Sequence, residues 1–161
     1  MPEMTLLGWF HTILGILAVL SGFYTLYKYR VISTAESSGR LYVLVTLLVA
    51  GSALGIYNQG GFGVAHVLAV LTLIALAGGY IMERFKWFGS FSKYFQALGY
   101  TSTLLFHMIP AITDFLRRLP VGDPFIDSFE DPLLLNFHIA FLLIYLVGLI
   151  TQMIWLKRQS T

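Results

Sequence analysis

Long apolar runs alternate with short polar segments along this chain. A helix needs about 20 predominantly apolar residues to cross a bilayer, with a lower limit of about 17. The pattern predicts five such helices, over residues 5–27, 41–57, 62–82, 95–116 and 132–156. We therefore predict an all-α integral membrane bundle of five transmembrane helices, with residues 1–161 forming a single domain.

The fourth predicted span is the most polar of the five. It contains Gln96, three consecutive hydroxyl residues at 101–103, His107 and Pro110. A helix lying on the membrane surface is the alternative interpretation. The apolar residues between these positions and the charges at both ends favour a span.

The basic residues predict the orientation of the bundle. Eight of the ten follow the first, third or fifth span: Lys28, Arg30, Arg40, Arg84, Lys86, Lys93, Lys157 and Arg158. Only Arg117 and Arg118 fall on the opposite side. Because excess Lys and Arg mark the cytoplasmic face, we predict that the N-terminus is outside and the C-terminus is cytoplasmic, in a bacterial inner membrane.

Composition excludes several functional classes. The chain is 57% hydrophobic and 11% charged, whereas soluble domains carry about 25% charged residues. It has no cysteine, so disulfides, thiolate metal sites, iron–sulfur clusters and covalent c-type haem are excluded. No hydrolase or phosphate-loop motif is present, and nothing supports nucleic-acid binding. Whether the chain is an enzyme is left open.

Histidines carry most of the functional signal. They lie in four different spans, at His11, His66, His107 and His138. With a rise of 1.5 Å per residue, all four fall roughly 6–14 Å below the outer boundary. Because histidine in a membrane usually faces the bundle interior, this shared depth predicts one cofactor site in the outer half of the bilayer, facing the periplasm.

Small and polar residues share faces with these histidines. Gly15, Ala18 and Gly22 continue the His11 face, and suit either close helix packing, the commoner reason, or a flat cofactor. The supporting residues on the other faces or nearby are Tyr100, Thr103, Tyr145, Arg117 and Arg118. Asp114 either pairs with one of these arginines, orients a histidine by a hydrogen bond, or acts as an added metal ligand.

Two segments carry no histidine. Gly51 and Gly55 give the second span a small-xxx-small pattern, which is typical of packing scaffold. The loop at 117–131 is the only outer segment long enough to form a lid, and a plain connector is the alternative.

A partial resemblance covers the first three predicted helices. The segment His11-Thr-Ile-Leu-Gly15-Ile-Leu-Ala18-Val-Leu-Ser-Gly22 resembles the first helix of an uncharacterised bacterial membrane-protein family, catalogued as domain of unknown function 2306. Residues 39–43 and Ala65-His66 are similar to the starts of its second and third helices. The family has a histidine before the second helix where this chain has Ser37 and Ser38. The resemblance implies a polytopic fold and no established reaction.

Three functions fit these patterns. The first is binding of b-type haem with electron transfer, possible quinone linkage and a redox partner at the outer face, because bis-histidine ligation needs two inward histidines at matched depth. The second is a non-haem Zn, Cu or Fe site formed by the four histidines, with or without Asp114. The third is a non-enzymatic scaffold or a proton-coupled carrier in which histidines take up protons.

Overall fold

The part of the chain that the structure describes forms five α-helices. The computed structural model describes residues 5–57 and 61–159, and no strand occurs within those ranges. The helices are α1 (Leu6–Tyr29), α2 (Ser37–Ala53), α3 (Val64–Phe85), α4 (Ser92–Arg118) and α5 (Pro132–Arg158). A 3-10 turn at Gly89–Phe91 precedes α4. The all-α class is confirmed, and most helix bounds lie within a few residues of the prediction.

Local chemistry explains several helix ends. Thr5 caps α1 because its hydroxyl accepts the Gly8 amide N–H at 3.1 Å. Asp131 caps α5 by accepting the Leu133 N–H, and Pro132 follows at the first helical position, where no N–H is needed. Arg30 and Lys86 end α1 and α3 in left-handed conformations.

Consecutive helices pack side by side, and α4 also contacts α1. Contacts between helix ends show that neighbouring helices run in opposite directions. We call the end that holds the starts of α1, α3 and α5 the histidine end. We call the opposite end, where α1, α3 and α5 terminate, the basic end, because eight of the ten basic residues lie in or beside it.

Glycines allow close helix contacts in the bundle interior. A Cβ on Gly22 of α1 would lie 2.7 Å from Cε2 of Tyr42, so the tyrosine ring occupies the space that a side chain would fill. A Cβ on Gly99 of α4 would lie 2.7 Å from the Ala75 carbonyl oxygen, which shows how closely α3 and α4 approach. The buried apolar core lies around these contacts: Ala18, Ile32, Tyr42, Val45, Val49, Leu76, Tyr100 and Leu104.

Three helices, α1, α3 and α5, are long and apolar enough to cross a membrane. Helix α5 packs mainly on α4, and only 6% of its most apolar stretch is buried. Helix α4 has a lower mean hydropathy than these three helices because it contains more polar residues. Several of those residues face the bundle interior; Tyr100 and Thr103 are fully buried.

Candidate functional site

His11 of α1 bonds to the last turn of α2. Its Nδ1 lies 3.2 Å from the Val49 carbonyl oxygen and 3.1 Å from Ser52 Oγ. The Ser52 hydroxyl itself donates to the Val49 carbonyl. Because a carbonyl oxygen only accepts, Nδ1 of His11 carries a proton, and the other ring nitrogen, Nε2, has the lone pair when the ring is neutral.

His107 of α4 bonds to the middle of the same helix. Its Nε2 lies 3.1 Å from Thr46 Oγ1, and the ring meets Tyr42 edge-on at 6.4 Å between centroids. Tyr42 in turn bonds to the Thr103 hydroxyl. These contacts join α2 to α4 through His107 and to α1 through His11.

The hydrogen bonds around Tyr42 run in one direction. Thr103 donates its hydroxyl proton to the Tyr100 carbonyl oxygen at 2.7 Å, so Tyr42 donates to Thr103. The bonds of Tyr42 and Thr103 therefore end on a backbone carbonyl. His107 Nε2 and Thr46 Oγ1 form a separate bond, whose direction depends on the tautomer of the ring.

The two histidines bond to neighbouring positions on α2, since His107 reaches Thr46 and His11 reaches Val49, three residues further along. Each ring bonds to α2 through one nitrogen, and a neutral imidazole has one nitrogen that could accept a proton. His11 and His107 therefore form a pair of protonatable groups, which we call the histidine pair.

His66 stands apart from this pair. Its ring is stacked between Tyr57 and Phe62, with centroids at 4.7 and 5.0 Å. Its Nδ1 accepts the Gly63 N–H at 3.1 Å, an arrangement that caps the start of α3. His66 thus stabilises a helix start beside two aromatic rings.

His138 is also separate. Its Nε2 lies 3.3 Å from Thr113 Oγ1, which joins α5 to α4. Further along the same interface, the Tyr145 hydroxyl is 2.8 Å from Ser102 Oγ. These contacts are interhelical hydrogen bonds between neighbouring helices.

The predicted four-histidine cofactor site is wrong. Among residues 5–57 and 61–159, no three His, Cys, Asp or Glu side chains come together to hold a metal ion. The four histidines bond to hydroxyls, carbonyls or an amide in three separate places, so matched depth does not bring them to one centre. The haem and metal functions that depended on that site are withdrawn, and with them the reason to expect a quinone or redox partner.

The remaining predicted site residues have other contacts. Asp114 lies 3.7 Å from Arg118 on the same helix, and Arg117 lies over the Phe129 ring at 3.8 Å. Gly15 has open space around its missing Cβ, whereas Gly22 receives Tyr42. The small-residue stripe on α1 therefore supports close packing at Gly22.

Helix α2 differs from its predicted role as a simple scaffold. Gly51 has nothing packed against it, while Tyr42, Thr46, Val49 and Ser52 provide the histidine partners. The spacing i, i+4, i+7 and i+10 places those four on one face. The spacing of Tyr42, Thr46 and Ser52 is the sequence feature that could have predicted this polar face of α2.

Glu83, near the end of α3, is a further polar site that the sequence did not predict. Its Oε1 accepts the Ser33 hydroxyl at 2.6 Å and the Thr34 amide at 2.7 Å. Its Oε2 accepts the Thr34 hydroxyl at 3.0 Å and the Tyr100 hydroxyl at 2.8 Å. We call these four residues the carboxylate cluster.

Two glutamines also bond to the loop that connects α1 to α2. Gln96 of α4 donates to the Ile32 carbonyl at 3.0 Å. Gln152 of α5 donates to the Arg30 carbonyl at 2.8 Å and accepts from Thr101. Side chains from α3, α4 and α5 thereby anchor the loop after α1 at the basic end.

The loop at 117–131 folds back onto the helices that it joins. Ile126 is buried with Leu116 and Leu134, and its N–H donates to the Leu116 carbonyl at 3.3 Å. Phe125 stacks on Phe115 with centroids 6.2 Å apart. Of the two predicted roles, these contacts fit the packed connector.

Comparison with family models, curated proteins and solved structures found no match to this chain. The resemblance to domain of unknown function 2306 remains a prediction.

Proposed function

We propose that the chain crosses the membrane five times and that its histidine pair is a proton-binding site reached from the outer side. The protein then acts as a proton-responsive membrane protein. The observation that carries this proposal is that His11 and His107 each bond one ring nitrogen to the same helix, α2, at positions three residues apart.

Two features support five spans. Helix α4 turns its hydroxyls, His107 and Tyr100 toward other helices and leaves apolar side chains such as Phe95 and Phe115 exposed. Helix α2 has 17 residues, at the lower limit for a span. The eight basic residues at the basic end favour a cytoplasmic position for that end.

Cysteine labelling tests this topology directly, because the chain has no native cysteine. Single variants Ser128→Cys, in the loop at 117–131, and Gln159→Cys, just after α5, are expressed in cells. We expect a membrane-impermeant maleimide to label position 128 in intact cells and position 159 only after lysis. Labelling of both positions, or only of 159, in intact cells would contradict the proposed orientation.

The hydrogen-bond direction limits what the histidine pair can do. Tyr42, which packs against the His107 ring, donates to Thr103, and Thr103 donates to the Tyr100 carbonyl, which has no proton to pass on. The carboxylate cluster lies beyond that carbonyl, where the Tyr100 hydroxyl is already bonded to Glu83. We therefore propose a local proton site and not a proton path across the membrane.

Among the described residues, Tyr42 is a titratable group in contact with the His107 ring. Because the two histidines bond to neighbouring positions on α2, a charge on one ring opposes a second charge on the other. The pair is expected to take up one proton well before two.

Histidine-labelled protein in lipid nanodiscs provides the test. We expect the ¹⁵N resonances of His11 and His107 to change together through two separated steps as pH falls. Two independent single-step curves, or resonances that do not change between pH 8 and pH 4, would leave the histidines as interhelical hydrogen bonds only and refute the proton site.

A further inference from the structure

A histidine side chain caps the start of α3. His66 is the third residue of this helix, and its Nδ1 accepts the Gly63 N–H at 3.1 Å. Glutamate or glutamine is the usual residue for this bond. Histidine differs from glutamine because its ring can take up a second proton in the physiological pH range. We propose that His66 is an acid-sensitive helix cap, which holds the start of α3 closed while the ring is neutral and releases it when the ring is protonated.

The direction of the cap bond determines which ring nitrogen carries the proton of the neutral ring. The Gly63 amide can only donate, so Nδ1 of His66 presents its lone pair and Nε2 carries the proton. A second proton on Nδ1 would face the Gly63 N–H with another donor, so the cap bond would be lost. The same proton would add positive charge at the start of α3, where the helix dipole already has its positive end. Protonation therefore removes the cap bond and is opposed by the helix dipole.

Burial prevents the ring from carrying a charge in this position. His66 is 4% exposed, and its Nε2 is buried with no hydrogen-bond partner in the described part of the chain. Tyr57 and Phe62 stack on the ring, and aromatic faces attract a cation. Two ring faces do not replace the acceptors that both N–H groups of a buried imidazolium need. Because Tyr57 and Phe62 are themselves exposed, we expect the charged ring to leave the stack and reach water.

The surroundings of His66 offer no counter-ion for a charged ring. Tyr57 is the titratable group in contact with it. Helices α2 and α4 pack against α3, and the second half of α2, residues 45–53, contains no charged or titratable side chain. Toward the histidine end, α4 carries four such groups with partners elsewhere: His107, Asp114, Arg117 and Arg118. In the part of the chain that the structure describes, no carboxylate forms an ion pair with His66.

Amide hydrogen exchange of the intact protein in lipid nanodiscs tests the cap, with each rate divided by its intrinsic rate at the same pH. The Val67 N–H reports on α3, because it donates to the Gly63 carbonyl at 3.2 Å. The Trp9 N–H is the internal reference, because it donates to the Thr5 carbonyl at the start of α1, where the capping hydroxyl does not titrate. We expect the protection of Val67 to fall about fivefold between about pH 8 and pH 5, the effect of losing one cap bond, and that of Trp9 to stay constant.

Two variants separate this cap from the histidine pair. His66→Gln keeps an acceptor for the Gly63 N–H but cannot be protonated in this range, so the protection of Val67 should no longer depend on pH. His107→Gln removes a titrating ring of the histidine pair and leaves His66 intact, so the fivefold fall should remain. An equal fall in His66→Gln would overturn the proposal. Loss of the fall in His107→Gln would assign it to the histidine pair and also overturn the proposal.

The ring ¹⁵N resonances of His66 in the wild type give a second measurement, which holds even if His66→Gln folds poorly. We expect Nδ1 of His66 to gain its proton at the same pH at which the protection of Val67 falls. A protonated Nδ1 with Val67 still protected would show that the ring carries the charge in place, and it would overturn the proposal. A ring that stays neutral down to about pH 5, with Val67 protected throughout, would overturn it as well.

Discussion

The carboxylate cluster at the basic end and the histidine pair toward the histidine end are both polar sites in an apolar bundle, but they differ in saturation. Each carboxylate oxygen of Glu83 accepts two hydrogen bonds. Each ring of the histidine pair bonds to α2 through one nitrogen. A saturated polar group stabilises a fold, because removing it strands its partners, whereas an unsaturated one can still bind a proton or ligand.

Glu83→Gln should have the largest effect on stability. The amide nitrogen would face donors from Ser33, Thr34 or Tyr100, so donors would be left unpaired. We expect the free energy of unfolding to fall by about 2–3 kcal/mol, measured by denaturation in mixed micelles with tryptophan fluorescence.

Asp114→Asn is the matched carboxylate control for Glu83. Asp114 is exposed and makes one 3.7 Å ion pair with Arg118. An exposed pair of this kind contributes about 0–1 kcal/mol, so the control should stay within about 0.5 kcal/mol of the wild type. If both variants lose the same stability, the carboxylate cluster does not anchor the loop after α1.

Tyr42→Phe should have an intermediate effect. It removes the hydroxyl that donates to Thr103 while keeping the ring that fills the space beside Gly22. We expect a loss of about 1–1.5 kcal/mol. Tyr27→Phe, at an 81% exposed position, removes the same atom with no expected change, and a similar loss in both would contradict the buried hydrogen-bond chain.

Ser52→Ala should have the smallest effect. His11 Nδ1 keeps the Val49 carbonyl as its acceptor when the serine hydroxyl is removed. We expect a loss below about 0.5 kcal/mol in the same unfolding measurement. A loss as large as that of Tyr42→Phe would mean that the His11 end of the pair is as tightly bonded as the core chain.

The helices could be predicted from the sequence because each long apolar run has the length of a helix that crosses a bilayer. The hydrogen-bond partners of the polar residues could not be predicted in the same way. Matched depth put His11, His66, His107 and His138 in one layer, but the rotation and neighbours of each helix decide which side chains meet. His66 and His138 therefore bond locally, away from the histidine pair.

The carboxylate cluster was hidden for a related reason. Glu83 comes just before Arg84 and Lys86, so in sequence it looks like one charge in a boundary segment. Its donors lie about 50 residues earlier and 17 residues later in the chain. Only the meeting of α3, α4 and the loop after α1 brings them together.

The most direct test of the account is the titration of His11 in lipid nanodiscs when its neighbour is replaced. His107→Gln keeps a hydrogen-bonding side chain for Thr46 but removes the second titratable ring, and His138→Gln removes a histidine outside the pair. We expect the two-step ¹⁵N curve of His11 to become a single step in His107→Gln and to be unchanged in His138→Gln. A His11 curve that is the same in the wild type and in His107→Gln would contradict the proposed pair.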